Sequence, residues 1–358
     1  MPATAGISGP RAWLEALLQR HWWPPRPSLL SRVLQPLSWL YRALSGAHRH
    51  CVEPRFAPVP VLVVGNVVVG GAGKTPTVLA AVRLLQAAGH NPAVLSRGYG
   101  RQGRQAWRVQ SGDTPALVGD EPLLLHRKSG VDVWVGADRA ALAQRACAHD
   151  PGVDVLVSDD GLQHHGLGRT VNLVVFDDRG VGNGLLLPAG PLRQRWPMAA
   201  SDVPCRVLYN AAAASTPVPG ALAARSISRA WPLHAWWQND ATESVPLTRL
   251  QGRPLVAAAG LAAPEKFFSM LEATGLQIKR LPLPDHHAFE TLPWPAGTPE
   301  VVITEKDAVK LRAPQPASQA APGSGPATAV WVVPLDFEIP ADLGHQLLAL
   351  LFPERKTP

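Results

Sequence analysis

Between residues 59 and 89 a β-branched apolar run, a glycine loop and an apolar helical run follow one another without a break. Residues 59–64 (Val-Pro-Val-Leu-Val-Val) have the composition of a strand buried on both faces. The loop Gly65-Asn66-Val67-Val68-Val69-Gly70-Gly71-Ala72-Gly73-Lys74-Thr75 comes next, and Pro76 stands where a first helical turn tolerates proline. A helix is expected over 77–89. Glycines let backbone N–H groups close around phosphate oxygens, a lysine neutralises the β- and γ-phosphates, and the following threonine hydroxyl reaches magnesium. The strict spacing GxxxxGK(S/T) wants glycine at 68, where this chain has Val68. The order of elements still predicts a nucleotide-binding α/β unit, a parallel sheet flanked by helices, with an ordinary glycine-rich βα turn as the alternative.

A second strand-like run, 153–158, ends in Asp159-Asp160-Gly161, where a magnesium-organising carboxylate belongs beside a phosphate loop. Between the two lie Ser96-Arg97-Gly98-Tyr99-Gly100, after a short strand over 93–95, and Gly119-Asp120-Glu121-Pro122, before a helix over 123–128. Arg97 is a candidate phosphate ligand and Asp120 a candidate proton acceptor. A surface arginine and an N-cap aspartate are the plainer readings. Asp285-His286-His287 follows a strand-like run over 278–283 and reads as a metal pair or a polar turn; adjacent side chains in regular structure face apart, which weakens the metal reading.

With 46% hydrophobic and 17% charged residues over 358 positions, the chain can bury a sizeable core, and its 37 prolines and 31 glycines follow no fibrous period. Three scattered cysteines give neither a disulfide framework nor a metal pair. No apolar run reaches the roughly 18 residues of a spanning helix, and no secretory leader is expected. The formal charge of +7 calls for an acidic partner. No arginine run with interleaved aromatics suggests nucleic acid. Residues 11–50 carry six arginines, one acid (Glu15) and the tryptophans 13, 22, 23 and 39. Within them Leu29, Leu30, Val33, Leu34, Leu37, Leu40, Tyr41 and Leu44 recur at helical spacing behind Ser28, a plausible cap, and Pro36 is a possible kink. Such an amphipathic helix either packs on its own domain or lies in an anionic headgroup layer.

Together these motifs resemble the tetraacyldisaccharide 4'-kinases, with further matches at Gln163-His164, Gly182-Asn183-Gly184, 187–193 (Leu-Pro-Ala-Gly-Pro-Leu-Arg) and 304–310 (Thr-Glu-Lys-Asp-Ala-Val-Lys). The family's loop also lacks the strict first glycine. The resemblance implies ATP- and Mg2+-dependent transfer to the 4'-hydroxyl of an acylated glucosamine disaccharide 1-phosphate in lipid A biosynthesis. It places the enzyme peripherally on the cytoplasmic face of the bacterial inner membrane, with no protein partner implied and the amino-terminal helix as its anchor. By position it makes Asp120 the base and His286 its helper, with Lys74 on the phosphates. Gly70, Gly71, Ala72, Gly73, Lys74, Thr75 and Pro76 bind nucleotide. Thr75, Glu121, Asp159 and Asp160 surround the metal, and Arg97 and Arg193 are candidates for substrate phosphate. A soluble small-molecule kinase and a nucleotide switch are the rivals; Thr304-Glu305-Lys306-Asp307 lacks the spacing of a guanine reader.

The expected organisation is an amphipathic segment (1–50), a phosphate-loop domain (51–210), a connection (211–251) and a smaller α/β domain (252–358). The last has strands over 255–259, 278–283, 301–304 and 330–333 and a helix over 264–274. Residues 313–328, all Pro, Ala, Ser, Gln, Gly and Thr, read as a loop that tolerates deletion. Lys74, Asp120 and Asp160 on one wall of an interdomain cleft, with His286 on the other, predict that closure on ATP joins base and helper.

Overall fold

A computed structural model describes residues 17–198, 203–311 and 328–353; the expected loop at 313–328, apart from its last residue, and the start of the basic segment lie outside the described residues. The chain divides into two units. The first comprises residues up to Ser96, Asp138–Ala223 and the chain from Ile339; the second comprises Arg97–Ala137 and Ala224–Glu338.

In the first unit six strands run parallel in the order Pro92–Ser96, Val155–Asp159, Val61–Gly65, Val171–Asp177, Cys205–Asn210, Ala221–Leu222. The first four are buried at every residue, as continuous apolar runs must be when helices cover both faces of a sheet. The register sets Val64 opposite Asp159. The glycine loop and the acidic pair therefore leave the sheet side by side at its carboxyl edge, where open α/β sheets bind ligands. The helix Lys74–Ala87 follows the loop and buries Thr77, Val78, Leu79, Ala80, Ala81, Val82 and Leu85.

The helix Leu29–Cys51 is capped by Ser28, whose hydroxyl accepts the Ser31 N–H at 3.2 Å. Its buried residues are Ser31 and Ser38. Ser38 donates to the Leu186 carbonyl at 2.8 Å and accepts the Ala189 N–H at 3.1 Å, while the Tyr41 hydroxyl donates to the Arg193 carbonyl at 2.8 Å. Leu29, Val33, Leu37, Leu40 and Leu44, spaced four, four, three and four residues apart, are all more than half exposed, as is Trp39. The helix is thus inverted: hydrogen-bonding side chains hold it to the protein, and its leucine stripe faces out. No helix among the described residues is long and apolar enough to cross a membrane.

The second unit is built on a sheet ordered Val245–Pro246, Arg229–Pro232, Ala329–Val333, Glu300–Thr304, Leu255–Ala259, Ile278–Pro282. The last four strands are parallel and the first two antiparallel additions. Phe267, Phe268 and Leu271 of the helix Pro264–Ala273 pack with Ala257 and Val302 in its core.

Three expectations about organisation need correction. Residues 224–246, expected within the connection, supply strands of the second unit: Arg229–Pro232 and Val245–Pro246 join its six-stranded sheet, while Ala224–Ser226 pairs antiparallel with Asp336–Glu338; strands of two to four residues are too short for a period to show. Residues 97–137, expected in the first domain, group with the second unit. Within them the helix Asp120–Ser129 is fastened there by Arg127, whose guanidinium lies 5.0 and 4.1 Å from the rings of Trp236 and Trp237 and donates to both their carbonyls. Lys128 adds an ion pair to Glu305 at 2.8 Å. At the other end of the chain the helix Ala341–Leu351, expected with the second domain, belongs to the first unit, where Phe352 stacks on His90 at 3.6 Å.

Candidate active site

The glycine loop between the strand Val61–Gly65 and the helix Lys74–Ala87 takes left-handed backbone at two of its glycines. Gly70 and Gly73 have φ of 90° and 88°, in the region that favours glycine, and a Cβ on Gly73 would collide with the Asn210 carboxamide. Gly73 is the N-cap of the following helix and offers no side-chain cap, which leaves the positive end of the helix for an anion. Arg179 and Asn210 donate to the carbonyls of Gly71 and Ala72 at 2.8 and 3.3 Å, while Pro76 lies in the first turn. The departure at Val68 also has a cause. Residues 67–69 bond to the 191–193 segment, Val69 N–H to Pro191 at 2.9 Å and Arg193 N–H to Val67 at 2.7 Å, with Val68 fully buried and bridged to Leu192. That position is extended core, so glycine is not required there.

Lys74 Nζ donates to Asn66 Oδ1 at 3.3 Å and lies 3.7 Å from Asp160 Oδ1. Asp160, at φ 47°, receives both arms of the Arg193 guanidinium, at 3.0 and 3.3 Å. Burial pushes the Asp160 carboxyl up, but Lys74 and Arg193 together outweigh it and hold it below the ordinary range. Asp159 is buried and its Oδ2 accepts the Ser96 hydroxyl at 2.9 Å. Arg193, a substrate candidate from sequence, is committed to Asp160 and to Asn66, whose backbone carbonyl it reaches at 3.1 Å. The same arginine lines a cavity of about 860 Å³ beneath the helix Leu29–Cys51, with Tyr41, Arg42, Arg49, His165 and Trp196 on its walls and no acid among its lining residues.

The second cluster lies wholly in the second unit. Asp120 opens the helix Asp120–Ser129, whose N-cap is Gly119, so the N-cap reading of Asp120 is overturned. Asp120 is 6% exposed; Oδ1 accepts the Glu121 N–H at 2.9 Å and Oδ2 accepts from His286 Nδ1 at 2.9 Å. Burial raises the Asp120 carboxyl, yet the His286 hydrogen bond and the charges of Lys306 and Lys310 leave it net lowered. His286 is raised, first by that hydrogen bond, against its own desolvation. Lys306 Nζ sits 3.1 Å from Glu121, 3.4 Å from Asp285 and 3.5 Å from His286 Nε2. Burial lowers its affinity for a proton, and those carboxylates raise it well above the ordinary lysine value. Lys310 Nζ is 3.2 Å from Asp307 and 4.0 Å from Asp120.

The expected cleft is corrected here: Asp120 and His286 occupy one unit and are already bonded, so no closure is needed to join them. Glu121, proposed for the metal, is paired with Lys306, and among the described residues no three His, Cys, Asp or Glu side chains converge as a metal cluster. Arg97 is exposed. Sequence reasoning gave no role to Lys306, Lys310, Asp307 or Arg139, whose guanidinium donates to the Asp159 carbonyl at 3.2 Å. One signal was present: the chain has only seven lysines, and Lys74, Lys306 and Lys310 are three of them.

A parallel α/β sheet with a phosphate loop at its carboxyl edge, and a buried carboxylate bonded to a histidine in the same chain, define the class of phosphate-loop kinases. The chain belongs to the tetraacyldisaccharide-1-P 4'-kinase (LpxK) family, whose model matches residues 30–351. The tetraacyldisaccharide 4'-kinase of Leptothrix cholodnii is 47% identical over 96% of this chain and 98% of its own length, and that of Methylibium petroleiphilum 47% identical over 91% of each. A solved structure of LpxK from Aquifex aeolicus, described as an "apo" form in complex with ATP, shares the fold at a TM-score of 0.70 and 23% identity, covering 90% of this chain and all of that one.

Proposed function

We propose that the chain transfers the γ-phosphoryl group of ATP to the 4'-hydroxyl of tetraacyldisaccharide 1-phosphate, giving lipid IVA in lipid A biosynthesis. The observation that carries this reading is the hydrogen bond from the half-buried His286 to the buried Asp120, 2.9 Å long and flanked by two lysines. A carboxylate so held stays ionised and can accept the hydroxyl proton as the sugar oxygen bonds to phosphorus. The bond to the β-phosphate oxygen breaks and ADP leaves with its electron pair. His286 steadies the carboxylate and stabilises the proton it receives. Lys74 exchanges Asn66 and Asp160 for the β- and γ-phosphates, and the uncapped helix end receives their charge.

The donor set beside the loop fits Mg2+, which takes oxygen ligands from one or two carboxylates and otherwise from phosphate and water. Thr75 and Asp159 would hold it, with Asp160 adding charge while Arg193 orients it; when bound, the ion neutralises the β- and γ-phosphate oxygens. Glu121 is left to Lys306. The cavity beneath the amino-terminal helix, walled by Arg42, Arg49 and Arg193, suits the sugar and phosphate of the acceptor. The outward leucine stripe and Trp39 suit a headgroup layer, and the basic flank suits anionic lipid, which supports a peripheral site on the cytoplasmic face of the inner membrane.

The test is transfer of labelled γ-phosphate from ATP with magnesium to tetraacyldisaccharide 1-phosphate in detergent micelles. Product is expected from the parent protein, with a loss of about 10³-fold or more in Asp120→Ala. ATP hydrolysis without labelled lipid would overturn the acceptor.

A further inference from the structure

The Lys310 side chain is 5% exposed and its ammonium makes no hydrogen bond among the described residues. It lies 3.2 Å from Asp307 Oδ1, 4.0 Å from Asp120 Oδ2 and 5.3 Å from the centroid of the Phe289 ring. Asp307 is fully buried and already supplied with donors: both oxygens lie 3.2 Å from the Gly260 N–H, and Oδ2 accepts the Thr304 hydroxyl at 2.7 Å. The Asp120 oxygen that faces Lys310 is the one bonded to His286, while Oδ1 accepts the Glu121 N–H. Buried ammonium donors are costly to leave unmade, and at 4.0 Å a small movement completes a charge-assisted hydrogen bond. Lys306 is different, since Glu121, Asp285 and His286 surround it.

We propose that Lys310 is a positioning residue for phosphoryl transfer: anchored on Asp307, its ammonium fixes the Asp120 carboxylate with Oδ2 turned to His286 and Oδ1, beside its bond from the Glu121 N–H, presented to the acceptor hydroxyl. Lys310 exchanges no proton in this role. It acts through Asp120, so its loss lowers the rate of transfer and leaves the binding of ATP and lipid alone. A lysine that only neutralised Asp307 would have no such link to Asp120. The inference rests on the kinase reading above.

The experiment is a double-mutant cycle. Asp307→Asn/Lys310→Met removes both buried charges together, a change that cores often accept, and the asparagine oxygen still accepts from Thr304 and Gly260. The expected result is a protein with a near-parental melting temperature, kcat lower by about 10²-fold and both KM values within about threefold. On an Asp120→Asn background the same pair of changes is expected to alter the residual rate less than about threefold, because coupled residues do not add. An equal loss on both backgrounds, a loss confined to KM, or parental kcat would each overturn the proposal. If the pair does not fold, Lys310→Gln alone is read in the same cycle by the same criteria. Failure of the parent protein to phosphorylate the lipid would instead defeat the functional reading.

Discussion

The phosphate loop and the Asp120 cluster each set a lysine beside an aspartate, and they do it in opposite ways. Lys74 lies 3.7 Å from Asp160 and near the Asn66 amide, at the open end of a helix whose N-terminus has no side-chain cap. Its partners are ones that a triphosphate can replace. Lys310 is buried between Asp307 and Asp120, its two ion-pair partners among the described residues. The first arrangement suits a group that must change partners in every turnover; the second suits one that must never change them. Charge used for binding is kept exchangeable, and charge used to aim a base is kept buried, where the weaker screening makes each interaction larger.

The largest effect expected to sharpen this contrast is at Lys74. Lys74→Ala should lower kcat by about 10³-fold and weaken ATP, since the ammonium binds charge that grows in the transition state; a change in the lipid KM alone, measured by initial rates, would break the comparison. Next comes Arg193→Lys. A single ammonium cannot supply the two-armed contact to Asp160, so a loss of about 10-fold in kcat is expected without loss of folding, read by the same assay and by circular dichroism.

The Asp120–His286 pair gives a pH signature in stability. His286 is raised above its ordinary 6.5, so its contribution is full below that value and is lost as pH rises through the folded value. Asp120 is lowered below 3.8, so its contribution is full above that value and is lost as pH falls through the folded one. The melting-temperature gap between the parent and His286→Gln should therefore be widest between 3.8 and 6.5 and shrink above, for a difference of about 1–2 kcal/mol. A gap that is flat with pH would mean that the pair does not carry charge.

The smallest effects set the two faces of the amino-terminal helix against each other. Ser38→Ala breaks two hydrogen bonds of a buried hydroxyl and should cost about 1–2 kcal/mol in denaturant unfolding, with vesicle binding intact. Leu37→Glu should do the reverse, leaving stability within about 0.5 kcal/mol and stripping the protein from anionic liposomes in flotation.

Legibility in the sequence followed contiguity. The loop from Gly65 to Thr75 was readable because its glycines, lysine and threonine lie on one stretch, and the strands over 61–65, 155–159 and 255–259 were readable because burial of nearly every residue leaves short apolar runs. The Asp120 cluster draws on positions 120, 286, 306 and 310, and its pairings come from packing of the helix Asp120–Ser129 on the second unit. Nothing local in Gly119-Asp120-Glu121 separates a cap from a base. The clamp that moves 97–137 into that unit, Arg127 over Trp236 and Trp237, joins residues more than a hundred positions apart, beyond any periodicity. Resemblance supplied the proposed roles of Asp120 and His286. It did not show that the two need no domain closure to meet, nor that Glu121 is tied to Lys306.

The inverted helix divides labour along its own circumference. Ser31 and Ser38 fasten it from beneath, while Leu29, Val33, Leu37, Leu40 and Leu44 each stand more than half exposed. Substitutions along that stripe are judged by greasiness and bulk, whereas those beneath are judged by fit to a single set of carbonyls. An outer face released from folding can be retuned to a thicker, thinner or more charged surface within a few substitutions, while the catalytic body it carries stays as it was.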